Sequence, residues 1–170
     1  MNVLRALVAM AVVGVALVLQ VSVFPFLAWD GIVPNLCLLV VVGAALTRGP
    51  QFAAVLGFFA GVALDLAPPA DHVAGRWALA LVVVGYVAGR MRQDSRPSAS
   101  AVLATVAASS FIGTSIFALS GVILGDGSVG FGELLQVILV ALLWDVLLTP
   151  LVLPPVMTMF RHLEPDRSLA

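Results

Sequence analysis

The sequence predicts an all-α membrane protein, a bundle of six transmembrane helices with both termini on the cytoplasmic side. Three observations predict it. Of 170 residues, 62% are apolar and only 10% charged, against about 45–50% and about 25% in an average soluble domain. The apolar residues fall into six runs separated by turn residues and charges. The arginines between those runs collect on alternate connections, as positive charge does on the cytoplasmic side of a membrane. Disorder is excluded, because it requires few apolar residues and a high net charge, and the net charge is -1. Cys37 is the single cysteine, so there is no disulfide framework, and with only His72 and His162 beside it there is no self-sufficient zinc site. Eight arginines without a lysine, balanced by nine acids, leave no basic surface for a nucleic-acid backbone. The expected surroundings are the lipid bilayer, with no nucleic-acid partner.

The first run covers 3–28. Its apolar stretch outlasts the roughly 7–15 residues of a signal-peptide core and ends at bulky Phe24-Pro25-Phe26, so it reads as a retained helix. Phe24, Phe26 and Trp29, with Trp77 further on, are expected to form an aromatic anchor at the outer interface. Runs two (33–47), three (52–67) and four (76–89) are near or below the roughly 17–25 residues of a spanning helix. A re-entrant hairpin between Asp30 and Pro68 would bury Arg48 near the bilayer centre, at a cost of at least about 2.5–3.5 kcal/mol. Complete crossings are therefore expected, with tilt or local thinning taking up the mismatch. Cys37 reads as a small packing residue of the second helix. Runs five (99–124) and six (133–159) are long enough to span, with Pro150, Pro154 and Pro155 expected to kink or end the sixth. A short cytoplasmic tail, 161–170, completes a single membrane domain covering residues 1–170. A cytoplasmic N-terminus places Arg5, Arg48, Arg90, Arg92, Arg96, Arg161 and Arg167 inside, and only Arg76 outside. Asp30, Asp71, Asp126 and Glu133 fall on the outer side in agreement.

No catalytic motif is present: no GxSxG, no HExxH, no phosphate-binding glycine loop and no CxxC. His72 and His162 fall on opposite sides of the bilayer and cannot cooperate, so no enzyme and no cofactor is expected. The informative residues are carboxylates within helices. Asp145 lies about 18 Å beyond Glu133 along a helix, close to the midplane. Asp65 lies about 20 Å beyond Phe52, in the outer third and near a helix end. Lacking a basic partner at their depth, both are expected to be hydrogen-bonded within the bundle or to serve function directly. Gly57-x-x-x-Gly61 continues in register to Asp65, so two glycines and a carboxylate line one face of the third helix. That face should lie against another helix, ordinarily one of the same chain, or else dock a partner. Gly85 and Gly89 close the fourth helix in the same pattern, and Thr105, Ser109 and Gly113 repeat it on the fifth.

The stretch GFFAGVALDLAPPADHVAGRWAL, residues 57–79, followed by VGYVAGR, residues 84–90, resembles the rod shape-determining protein MreD family in its actinobacterial form. The likeness extends along the whole chain in length and helix count, although Pro34-Asn35 stands where family members commonly carry Pro-Asp. The resemblance implies an architecture similar to the substrate-binding subunits of energy-coupling-factor transporters. It further implies a non-enzymatic subunit of the bacterial cell-elongation complex in the plasma membrane, binding MreC and through it RodA and a class B penicillin-binding protein. Partner contacts are expected on Gly57, Gly61 and Asp65, with the outer connection of Asp71, Arg76 and Trp77. The alternative function is a small-molecule, vitamin-like binding subunit of a transporter, with Asp145 and a kinked sixth helix lining its cavity.

Overall fold

The computed structural model describes residues 3–68, 72–92, 97–125 and 130–162. Asp71, Arg96, Asp126, Arg167 and the tail from residue 163 lie outside the described residues. Each apolar run becomes a helix: α1 (Val3–Ser22), α2 (Leu36–Arg48), α3 (Pro50–Leu66), α4 (Arg76–Arg90), α5 (Ala99–Leu124) and α6 (Phe131–His162). A 3-10 turn, Phe24–Leu27, follows α1. Among the described residues there is no strand, only an isolated bridge between Trp29 and Ile32. Asp30 (φ 50) and Gly31 (φ 76) form the two-residue turn inside that bridge.

Three helices, α1, α5 and α6, are long and apolar enough to cross a membrane. The others have 13, 17 and 15 residues, or about 20, 26 and 22 Å of helix against a hydrocarbon layer about 30 Å thick. The shortest sits at the centre. α2 is apolar all round, every one of its residues except Arg48 is buried, and it touches α1, α3, α4, α5 and α6. A helix with no polar face has to be enclosed, and Leu38, Leu39, Val41 and Val42 form the middle of the core.

α3 and α4 pack back to back along four glycines. A Cβ on Gly57 or Gly61 would overlap the backbone of Leu81 or Ala78 in α4, and one on Gly85 or Gly89 would overlap the backbone of Ala53 or Pro50 in α3. Without side chains at these positions the two backbones approach closely, as small residues allow in lipid. The turn into α3 is equally tight: Gly49 (φ 88) adopts a backbone that L side chains avoid, and Pro50 follows at the first helical position.

Several boundaries differ from the sequence expectation. The first helix closes at Ser22 instead of reaching residue 28, because Pro25 cannot donate the next helical hydrogen bond and instead starts the 3-10 turn. α2 begins at Leu36, three residues later than expected, because Asn35 caps it: its Oδ1 accepts from Leu38 N at 2.9 Å. The proline-rich stretch does not end α6, which runs over 32 residues to His162. Packing on both flanks by α2 and α5 holds it helical, with Leu153, Val156, Met157 and Phe160 buried.

Candidate functional site

A helix start leaves several N–H groups without partners, and two of the short helices, α2 and α4, resolve this in the same way. In both cases a carboxylate from a neighbouring helix supplies acceptors.

The first is Asp65, in the last turn of α3 and 3% exposed. Gly75 (φ 102) turns the chain into α4 and has no side chain to cap it. Asp65 Oδ2 accepts from Gly75 N at 2.8 Å and from Ala78 N at 3.1 Å, and Oδ1 accepts from Trp77 N at 3.1 Å. His72 Nε2 lies 3.1 Å from the same Oδ1. Negative charge at a helix N-terminus is also favoured by the helix dipole. The end of α3 is thereby tied to the beginning of α4, at the same end of the pair that Gly61 brings into contact.

Arg76 and Trp77 extend this cluster to α5. Arg76 is 7% exposed. Its Nε donates to Ser120 Oγ at 3.2 Å, its Nη2 donates to Phe117 O at 2.7 Å, and its guanidinium lies 4.0 Å from the Phe117 ring centre. Gly121 leaves the room that the guanidinium occupies. Trp77 stacks on Phe117 at 4.3 Å, and His72 meets the same ring edge-on at 5.1 Å.

The second carboxylate, Asp145, is fully buried in α6. Its Oδ1 accepts from Asn35 N at 2.8 Å, at the start of α2, and its Oδ2 accepts from Ser110 Oγ of α5 at 2.7 Å. Gln20 of α1 adds a third partner, its Oε1 accepting from Cys37 N at 3.3 Å. Side chains from α1, α5 and α6 thus converge on the start of α2. Irregular backbone at membrane depth persists only where protein encloses it and satisfies its polar groups. Asn35 Nδ2 is buried and has no hydrogen-bond partner among the described residues.

Four of the expected partner-binding residues, Gly57, Gly61, Asp65 and Arg76, are buried within the chain. Gly57, Gly61 and Asp65 do not present a face for a partner helix, because α4 of the same chain covers them. Arg76 is enclosed between α4 and α5 and is not an exposed docking residue. Asp145 is fully buried and lines none of the four grooves described along the helices. Asp65 and Asp145 serve different helix starts and do not meet. The sequence gives no prominence to Ser110 or Phe117. Gln20 is visible, with Ser22, as a polar break in an apolar run, a signal that marks an internal hydrogen bond when the run is a membrane helix.

At the opposite end of the bundle Arg48 stacks over Phe52, 5.1 Å from the ring centre, and Phe52 meets Phe160 edge-on at 5.9 Å. Arg92 Nη1 is 3.8 Å from where a Cβ on Gly49 would lie. Arg90, Arg92 and Arg161 are exposed. Among the described residues no group of three or more His, Cys, Asp or Glu side chains could hold a metal.

No curated protein and no solved structure matches this chain. Residues 1–163 match the model of rod shape-determining protein MreD, and the chain belongs to that family.

Proposed function

We propose that this chain is a non-enzymatic, multi-pass scaffold of the bacterial plasma membrane, with both termini in the cytoplasm. In this reading it supports peptidoglycan synthesis during elongation by binding MreC, and through MreC the synthases RodA and a class B penicillin-binding protein. Rod-shape determination is the role the family carries, and the family is a shape-determining one with no known enzymatic activity. One observation carries the scaffold reading furthest. The two buried carboxylates are each engaged by a helix start of the same chain, Asp65 at α4 and Asp145 at α2. Their chemistry holds the bundle together, and binding through the outer surface is the resource that remains.

The orientation is supported by charge, since Arg48, Arg92 and Arg161 gather at one end while Trp77, in the first turn of α4, and the Trp29–Ile32 turn lie at the other. With Gly57 and Gly61 covered, partner contact is placed on the connection that leads into Arg76 and Trp77. Val73, Ala74 and Gly75 are exposed there. Affinity purification of the full chain in mild detergent tests the reading, with MreC expected among the recovered proteins. Its absence at normal expression sinks the scaffold reading. Val73→Asp is expected to lower MreC recovery without lowering the yield of folded protein, and undiminished recovery moves the contact elsewhere.

A further inference from the structure

Two grooves flank the proline-rich half of α6, and they differ in chemistry. The one between α1 and α6, about 550 Å³, is floored by Leu36 and Val40 and has only apolar side chains along it. Nothing in it selects one occupant over another. The second lies between α5 and α6 and measures about 790 Å³. Leu153 and Met157 form its floor, Leu103 and Leu147 stand on its rims, and Arg161 lines its end.

Its length is informative. From Val146 to Arg161 the groove follows α6 for about 22 Å, and one leaflet with its headgroup layer is about 20–22 Å deep. It closes next to Asp145, where the hydrogen bond from Ser110 ties α5 to α6. A transmembrane helix, from a partner or from a second copy, would continue past this point and need a matching surface on the other half of the bundle. A lipid of a single leaflet would not.

The polar groups narrow the choice further. Thr149 Oγ1 donates to Asp145 O and Thr158 Oγ1 donates to Pro154 O, each at 2.8 Å, so both hydroxyl protons are engaged within α6. Among the described residues Arg161 is the single charged side chain on the groove, and it is exposed. A guanidinium at the surface end of an apolar channel matches a phosphate-bearing headgroup above an acyl chain.

We infer that the α5–α6 groove binds an anionic phospholipid of the leaflet at the arginine-bearing end. One acyl chain lies over Leu153 between Leu103 and Leu147, and the phosphate rests on Arg161. The inference concerns a lipid and stands whether or not MreC is the protein partner.

The test is native mass spectrometry of the full-length protein, delipidated in detergent and offered equal amounts of phosphatidylglycerol and phosphatidylcholine with identical acyl chains. Phosphatidylglycerol is expected to be retained about fivefold over phosphatidylcholine, as one arginine near an anionic surface would give. Arg161→Gln should abolish that preference while leaving baseline retention of both lipids, and Arg161→Lys should keep part of it. Leu103→Trp, on an exposed rim, should lower retention of both lipids. Equal retention of the two lipids by the unaltered protein overturns the inference, as does an unchanged preference in Arg161→Gln. A dimer that Leu103→Trp dissociates, without selective lipid retention, assigns the groove to a second copy and overturns it as well.

Discussion

At the start of α4, three backbone N–H groups reach Asp65 from no more than 13 residues along the chain. At the start of α2, Asp145 arrives from 110 residues away, and Ser110 and Gln20 come from two further helices. The first carboxylate sits beside exposed residues, Gly75 among them, whereas the second is fully enclosed. The same device, a carboxylate from one helix capping another, therefore works once as a local clasp within a helical hairpin and once as the junction of the whole bundle. What separates them is the access of water, since a donor that loses its acceptor near the surface can be resolvated and one in the centre cannot.

The largest effect is expected from a change that forces α3 and α4 apart. Gly61→Leu places a side chain where the Ala78 backbone lies, and overpacking costs typically about 1–3 kcal/mol even where side chains can yield. Backbone cannot yield in that way, so no monodisperse protein should survive size-exclusion chromatography in detergent. A folded variant with the parent's melting temperature would show that the two helices are not in close contact.

Next comes the comparison of the carboxylates. Asp145→Ala leaves Asn35 N–H and Ser110 O–H without acceptors in an enclosed site, at about 1–3 kcal/mol for each group. Asp65→Ala removes more hydrogen bonds, yet water can reach the Gly75 side of that cluster. Thermal unfolding in detergent should therefore fall further for Asp145→Ala than for Asp65→Ala. The reverse order would mean that the number of hydrogen bonds, and not access of water, governs the two sites. Asp145→Asn, which keeps an acceptor for Asn35 N, should recover part of the loss.

Asn35→Ala removes the N-cap of α2 and should lower stability by about 1 kcal/mol, measured by the same unfolding. The smallest effect is expected at His72, whose side chain is 16% exposed beside Asp65. His72→Gln should change stability by less than about 1 kcal/mol. A larger loss would mark the His72 ring as part of the clasp through its contact with Phe117.

Much of the fold is legible in the residues. The six runs are set by composition and by turn residues such as Gly49-Pro50, and α5 begins and ends at the expected residues. The glycine spacing of α3 shows that something must lie close against it, but glycine carries no information about which backbone fills the space. That ambiguity is why a docking face for partners and a contact with α4 look alike in sequence. Pro25 and Pro150 illustrate the same limit: one lies just past the end of a helix and the other inside one, and α6 around Pro150 is held by α2 and α5.

The sequence by itself determined that this chain is a helical membrane protein of the MreD family, where its helices run, and which carboxylates lie within them. Those properties follow from apolar run length, local turn chemistry and short motifs, all read along the chain. Only the tertiary structure decided that Asp65 and Asp145 close the starts of α4 and α2, that Arg76 lies enclosed against Phe117, and that α2 is the centre of the bundle. The reason is that an unpaired donor specifies a need for an acceptor without specifying its source, and the source is settled by which helices pack together.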